Sequence, residues 1–323
     1  MRVLVSGAGG FLGRRLVERL LKGGHTVRSI IRPAAGASPW QDDVEIFRAD
    51  LRGHGELIAA FDNVDAVVHL AAALDGSEDT QFASSVIATE RFLDAMARSG
   101  VKRLVHVSSL VVYDWSRARG VFDEGTPLLA DMYGMGAYTI SKIWQERVVK
   151  KFAAAHSWDI TILRPGFIWG PHHALIAGMG RAVGGIYLMF GPFTRLPLTH
   201  VANCADCLAV AVENPAATGE CFNVIDGDDI RVWRYVREFA KRKGPSGILL
   251  PVPYHAGYGL AWVASLTSHI LFGSKGKLPS LLVPRRFESQ FKPLRFSTQK
   301  LTDILCWKPP LTFEDCLKDT YRT

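Results

Sequence analysis

The 323-residue chain is 48% apolar and 21% charged, the balance of an ordinary folded protein of one large domain or two modest ones, so dominant disorder is excluded. Five cysteines, Cys204, Cys207, Cys221, Cys306 and Cys316, are too few and odd in number for a disulfide framework and point to a reducing compartment, the cytoplasm. Of the net charge of +7, residues 231–300 hold thirteen Lys or Arg against two acidic residues, which leaves the rest of the chain at −4. That basic excess suits an anionic substrate or a membrane surface, and no nucleic-acid signature accompanies it.

Residues 1–5 run straight into a glycine-rich turn, with no basic segment or apolar core before it, and no signal peptide is expected. The first half then alternates apolar runs with helical patterns. Arg2–Ser6 reads as a strand, Phe11–Lys22 as a helix, and Thr26–Ile31, 44–49 and 66–71 as three more strands. A helix over 81–98, a strand over 104–108, a strong helix over 138–156 and a strand over 160–164 follow. This rhythm predicts an α/β fold with a doubly wound parallel sheet of the Rossmann type. After Pro165, Pro171, Pro192 and Pro197 break the chain into loops; Val201–Glu213 reads as a helix and 221–225 as one more strand. Residues 1–165, with about 199–226, are expected to bind a dinucleotide. About 166–198 and 227–323 form the expected smaller, mostly helical substrate lobe.

Residues 244–274 hold no Asp, Glu, Lys or Arg, but lie between Lys241-Arg242-Lys243 and Lys275, Lys277, Arg285 and Arg286. Pro251, Pro253, glycines and two histidines interrupt the run. The leading expectation is a buried helix closing the substrate pocket. The alternative is a membrane-surface helix, giving peripheral membrane contact through 244–286.

Gly7, Gly10 and Gly13 follow the first strand directly and open a helix. Gly7 allows the tight turn, Gly10 the approach of a pyrophosphate, and Gly13 close packing of helix on strand, with the helix N-terminus offering free N–H groups to phosphate. The second strand ends in Ile31-Arg32-Pro33 with no acid to hold a ribose 2′-hydroxyl. Arg28 and Arg32 alternate along it, and a guanidinium at the tip favours a 2′-phosphate, hence NADP over NAD. Asp50-Leu51 falls where the adenine edge is expected.

Tyr138 and Lys142 stand at i and i+4 of one helix. A neighbouring ammonium lowers the pKa of a phenol, which can then exchange a proton with a substrate oxygen. Ser109 ends the fifth strand, where it can polarise the same oxygen. Cys204-x-x-Cys207 lies on an expected helix without a second pair, so no metal is expected; His172-His173 read as pocket or surface, His69 as a satisfied strand residue, and Trp233 and Tyr235 as part of an amphipathic surface helix.

Taken with His69-Leu70-Ala71-Ala72, Ser108-Ser109, Arg164-Pro165 and Gly170-Pro171, these marks resemble the extended short-chain dehydrogenase/reductase family, also called the NAD-dependent epimerase/dehydratase family. The resemblance implies Ser109 as catalytic serine, Tyr138 as acid/base and Lys142 as its partner, also holding the nicotinamide ribose. It implies a cofactor held by Gly7, Gly10, Phe11, Leu12, Gly13, Leu70, Ala71 and Ala72, with Pro165 and Gly166 bordering the nicotinamide. Two asparagines usual in nucleotide-sugar members are replaced by Phe167 and Ser85. Leu110, Val111, Phe167, Ile168 and Trp169 then read as an apolar substrate wall. That wall points to the hydroxysteroid dehydrogenase and flavonoid or aldehyde reductase branches. A sugar-nucleotide epimerase or dehydratase with tightly bound NAD stays the alternative reading, and a non-catalytic nucleotide-binding module the third. The expected partner is a small-molecule substrate, with a homodimer left open.

Overall fold

The computed structural model describes residues 1–33, 40, 43–53, 57–227, 229–243, 248–273 and 278–322, with the backbone alone for Lys243. β1 (Arg2–Ser6) buries Val3, Leu4 and Val5 completely, as a strand covered on both faces must. Residues 7–10 turn the chain into α1 (Phe11–Lys22), whose inner stripe is Leu16, Val17 and Leu20. β2 (Thr26–Ile31), β3 (Val44–Arg48) and β4 (Ala66–His69) follow. α2 (Glu78–Phe82), capped by Ser77, runs through a π-helical turn at Ala83–Ile87 into α3 (Ala88–Ser99). Then come β5 (Arg103–Val107), β6 (Val121–Phe122), α4 (Ala137–His156) and β7 (Asp159–Pro165). The chain continues through β8 (Phe167–Trp169), β9 (Arg181–Val183), β10 (Ile186–Phe190), β11 (Leu198–His200), α5 (Val201–Glu213) and β12 (Cys221–Val224). The C-terminal part holds α6 (Val232–Lys243), β13 (Ile248–Val252), α7 (Tyr254–Phe272), α8 (Pro284–Phe291), β14 (Arg295–Phe296), α9 (Gln299–Leu305) and α10 (Phe313–Thr320).

Seven of these strands form one parallel sheet in the order β12-β7-β5-β4-β1-β2-β3. This is the Rossmann-type α/β fold the sequence implies. A core built from α1, α5 and α9 covers one face; α3 and α4 cover the other. The strand order reverses between β1 and β4, so the loops leaving those two strands part and open a crevice at the carboxyl edge. β4 stops at His69, short of the expected 71, because residues 71–73 turn to side chains instead of a neighbouring strand: Ala71 N donates to Ser6 Oγ and Ala73 N to Ser85 Oγ.

The second lobe is mostly helical but also carries a small mixed sheet, β13-β10-β9, that periodicity did not reveal. β14 returns to pair with β6, and β8 pairs with β11. The apolar 248–273 stretch corrects the leading expectation. It forms a strand and then a helix, and of that helix Gly257 and Ala261 are buried while the apolar side chains beyond them are open to solvent. Residues 244–247 and 274–277, which complete the expected segment, lie outside the described residues.

Candidate active site

The turn after β1 leaves no room for a side chain at Gly7, nor does the helix it opens at Gly13. Gly7 sits at φ +73°, and a Cβ there would stand 2.9 Å from Ala71 N, on the loop leaving β4. A Cβ on Gly13 would meet Gly7 O at 2.2 Å and Ala8 Cα at 2.7 Å. Gly10 N closes the turn on Gly7 O at 3.0 Å, and Gly10 caps α1 without any side-chain hydrogen bond. No acidic residue stands in the first turn of α1, so its amino end presents N–H groups and positive dipole to a cleft lined by Gly9, Phe11, Arg14, Pro171 and His173. The Phe11 and His173 rings stack at 4.1 Å there. No cluster of metal-ligating side chains occurs among the described residues. Cys204 and Cys207 are packed into α5, where burial pushes both thiols up.

At the tip of β2, Arg32 is exposed. Arg28 is not its partner: its buried guanidinium donates to Ala60 O at 2.8 Å, Asp62 O at 2.9 Å and Glu45 Oε1 at 2.7 Å. Asp50 accepts from Arg52 and is drawn down to about 2 chiefly by that hydrogen bond, with a lesser pull from the Arg32 charge. Leu51 turns inward to the core beneath β2.

Ser109 follows β5 and Tyr138 begins α4, which brings the serine side chain close enough to the phenol to act on its ionisation. Enclosure of the phenol end raises the Tyr138 pKa, and the Ser109 side chain opposes the rise. One turn on, Lys142 is buried and donates to Val107 O and Gln145 Oε1, each at 2.9 Å. Burial lowers it to about 8 against the pull of Glu146. The lowering of the Tyr138 pKa expected from the Lys142 ammonium is therefore not found: burial raises it, and Ser109 is what opposes the rise.

The NAD dependent epimerase/dehydratase family model matches residues 3–224, from β1 to the edge strand β12. The chain belongs to this family. It is 28% identical to a UDP-glucose 4-epimerase of Vibrio cholerae over 98% of this chain and 94% of that one. To a 3 beta-hydroxysteroid dehydrogenase/Delta 5-->4-isomerase of Mycobacterium tuberculosis it is 27% identical, over 98% and 89%. A dihydroflavonol 4-reductase of Zea mays is 26% identical over 99% and 87%. The fold is shared with UDP-glucuronic acid 4-epimerase of Bacillus cereus, solved in complex with NAD: TM-score 0.72, 18% identity, 99% of this chain and 97% of that one.

In this family member the remaining site residues divide in two. Leu70, Ala71, Ala72 and Gly166 are half-buried beside the crevice, while Pro165 is buried at the end of β7. Val111, Phe167 and Ile168 are also half-buried and can face a ligand. Leu110 and Trp169 correct the expected wall. Leu110 is packed under the 110–112 turn, and Trp169 is fully buried against His200, Tyr235 and Phe313. Tyr235 likewise belongs to that core, while Trp233 stays exposed on α6.

A buried polar network beneath the site was not anticipated, apart from His69 as a satisfied group. Gln145 Nε2 donates to Ala71 O and Thr89 Oγ1, each at 2.8 Å; His69 bridges Thr89 Oγ1 at 2.8 Å and Ser6 Oγ at 2.7 Å. Burial, helped by the Lys142 charge, brings His69 down to about 3, so the imidazole is neutral. The sign available in the sequence was a Gln-Glu pair at i+3 and i+4 from Lys142, polar residues on an otherwise buried helix face.

Proposed function

We propose that the chain is an NAD(P)-dependent oxidoreductase interconverting a secondary alcohol and a carbonyl on an apolar small molecule. The observation that carries this reading is the grouping of Ser109 beside Tyr138, with Lys142 one turn below held by Val107 O, at the carboxyl edge of the sheet. The packing limits at Gly7 and Gly13 and the uncapped amino end of α1 fit a dinucleotide: Gly7, Gly10, Phe11, Leu12 and Gly13 hold its pyrophosphate. Arg32 and Asp50 would border the adenosine end, and Leu70, Ala71, Ala72, Pro165 and Gly166 would line the way to the reactive end. Bound there, the nicotinamide supplies or accepts the hydride.

In the reducing direction, Tyr138 passes its phenolic proton to the substrate oxygen. Ser109 donates a hydrogen bond to the same oxygen as negative charge builds on it. Lys142, charged at neutral pH and fixed by Val107 O and Gln145, stabilises the phenolate left on Tyr138. In the oxidising direction these transfers reverse.

Val111, Phe167 and Ile168 favour an apolar or aromatic carbonyl, in keeping with the names of the hydroxysteroid and dihydroflavonol relatives. The Vibrio cholerae relative supports a second reading, a nucleotide-sugar epimerase or dehydratase that reuses tightly bound NAD. Against it, Ser85 is buried with its hydroxyl accepting from Ala73 N, and Phe167 is apolar, so neither position offers a sugar-nucleotide the amide usual there. Incubating the purified protein with NADPH or NADH and a panel of steroid, flavonoid and aryl ketones, and in parallel with UDP-sugars, tests both. Stoichiometric loss of nicotinamide absorbance with a ketone is the expected result; UDP-sugar interconversion without net cofactor turnover would replace it with the second reading. With the ketone so found, Arg32→Ala is expected to weaken NADPH more than NADH, and equal weakening rejects a 2′-phosphate contact.

A further inference from the structure

α7 is an anomaly for a helix bathed in water. It is 19 residues long, about 28 Å, and carries no Asp, Glu, Lys or Arg. A helix apolar on all sides belongs inside a protein or in a membrane. Among the described residues it is held at its root, where Gly257 packs against Phe287 of α8 and Phe190 of β10 so closely that a Cβ would fall 2.6 Å from Phe287 Cζ. Beyond Ala261 its large apolar side chains face solvent, and Ile270, Leu271 and Phe272 are 72, 66 and 64% exposed. The apolar surface continues onto β13, where Ile248, paired with Ile186 of β10, is also exposed.

The surrounding charge selects the occupant. No acidic residue occurs between Glu238 and Glu288, while Lys241, Arg242, Lys243, Lys275, Lys277, Arg285 and Arg286 border the apolar stretch; Lys241 and Arg242 share Glu238 and Arg285 pairs with Asp131, which leaves the border cationic on balance. Lys275 and Lys277 lie outside the described residues. A second copy docking here by two-fold symmetry would bring two cationic borders together, an unfavourable pairing. Among the described residues no helix is long and apolar enough to cross a membrane. Tyr254 and Tyr258 pack into the root of the helix, while Trp262, 53% exposed, supplies an amphipathic ring of the kind that settles at headgroup level.

We propose that α7 docks the protein onto an anionic membrane surface, its distal half among headgroups and outer acyl carbons and its cationic borders on the phosphates. The docked helix adjoins the mouth of the site, because α8, packed on α7, ties Arg285 and Arg286 to residues 131–135 just ahead of Tyr138. The proposal does not depend on the reaction assigned to that site.

Flotation of the full chain with vesicles of about 30% phosphatidylserine in phosphatidylcholine tests it, against vesicles of phosphatidylcholine alone. The expected result is flotation with the anionic vesicles, lost at high salt, and a blue shift of tryptophan emission. The double variant Ile270→Asp/Leu271→Asp, altered only at exposed positions, should lose binding by about tenfold or more with an unchanged melting temperature. No flotation at low salt overturns the proposal, as does equal binding by the variant or by neutral vesicles. A dimer that the variant converts to monomer, without vesicle binding, overturns it in favour of a second copy.

Discussion

At the scale of single residues, the chemistry assigned to this chain rests on a phenol that is harder to ionise than usual and an ammonium that is easier to discharge. Tyr138 is held protonated by its enclosure, which suits a proton donor. Tyr138→Phe removes the transferable proton but keeps the ring, so turnover is expected to fall by about 100-fold or more while cofactor affinity stays within about twofold. Unchanged turnover would contradict the role. Lys142 gives a second, independent signature. With its pKa near 8, against an ordinary 10.5, it loses charge as pH rises through 8, and the rate of reduction is expected to decline there. Stability moves the other way. Between about 8 and 10.5 the unfolded chain still holds the proton that the folded chain has released, so folding gains on the order of 3 kcal/mol at most across that window. Below 8 the full cost of burying the ammonium is present. Melting curves from pH 7.5 to 10 should show this gain in the wild type and its loss in Lys142→Met.

At the scale of elements, α4 joins the site to the sheet. From the turn after Lys142, Glu146 reaches Arg164 of β7 at 2.5 Å and accepts from Ser108 at 2.7 Å, with both members of the ion pair almost wholly buried. Burial alone would raise the Glu146 pKa, but the Arg164 hydrogen bond and charge, with Lys150 and Ser108, hold it down to about 2. Its contribution is therefore present above the ordinary carboxylate value of 4.5 and is lost as pH falls toward 2. Glu146→Gln strands a buried guanidinium and is expected to cost about 3–5 kcal/mol at pH 7 in urea unfolding. The deficit should shrink at pH 3, and a constant deficit would mean the pair is not what stabilises the contact. Elements like these show what the chain discloses before it folds. Local features were readable: the strand-glycine-helix order around Gly7, the alternation of the first half, and the spacing of Tyr138 and Lys142 each depend on neighbours in sequence. Glu146–Arg164 and Gln145–Thr89–His69 join distant segments, so beyond the polar Gln145-Glu146 pair that follows Lys142 the sequence does not announce their partners. The burial of Leu110 and Trp169 was equally hidden, since an apolar residue beside a pocket and one beneath it look alike until the layers are packed.

At the scale of the whole molecule, the second lobe meets the loop that leads to the proposed Tyr138–Lys142 pair of the first. α8 supplies a direct link. Arg285 donates to Asp131 Oδ2 and to the carbonyls of Asp131 and Tyr133, while Arg286 donates to Gly134 O at 2.7 Å and Met135 O at 2.9 Å. The clamped loop ends at Gly136, which caps α4 without a side-chain bond, two residues before Tyr138. Two guanidiniums thus hold the entrance to α4, where the sequence-local bonds are few: Met135 N to Met132 O and Tyr133 N to Asp131 Oδ1. Removing them should loosen the loop without touching the sheet. In Arg285→Ala/Arg286→Ala, amide exchange across 131–136 is expected to quicken by about tenfold or more, while β1, β4 and β5 keep wild-type protection. Unchanged loop protection would show that α8 merely rests against the first lobe; faster exchange confined to the loop would show that the two lobes share one mobile boundary at the mouth of the site.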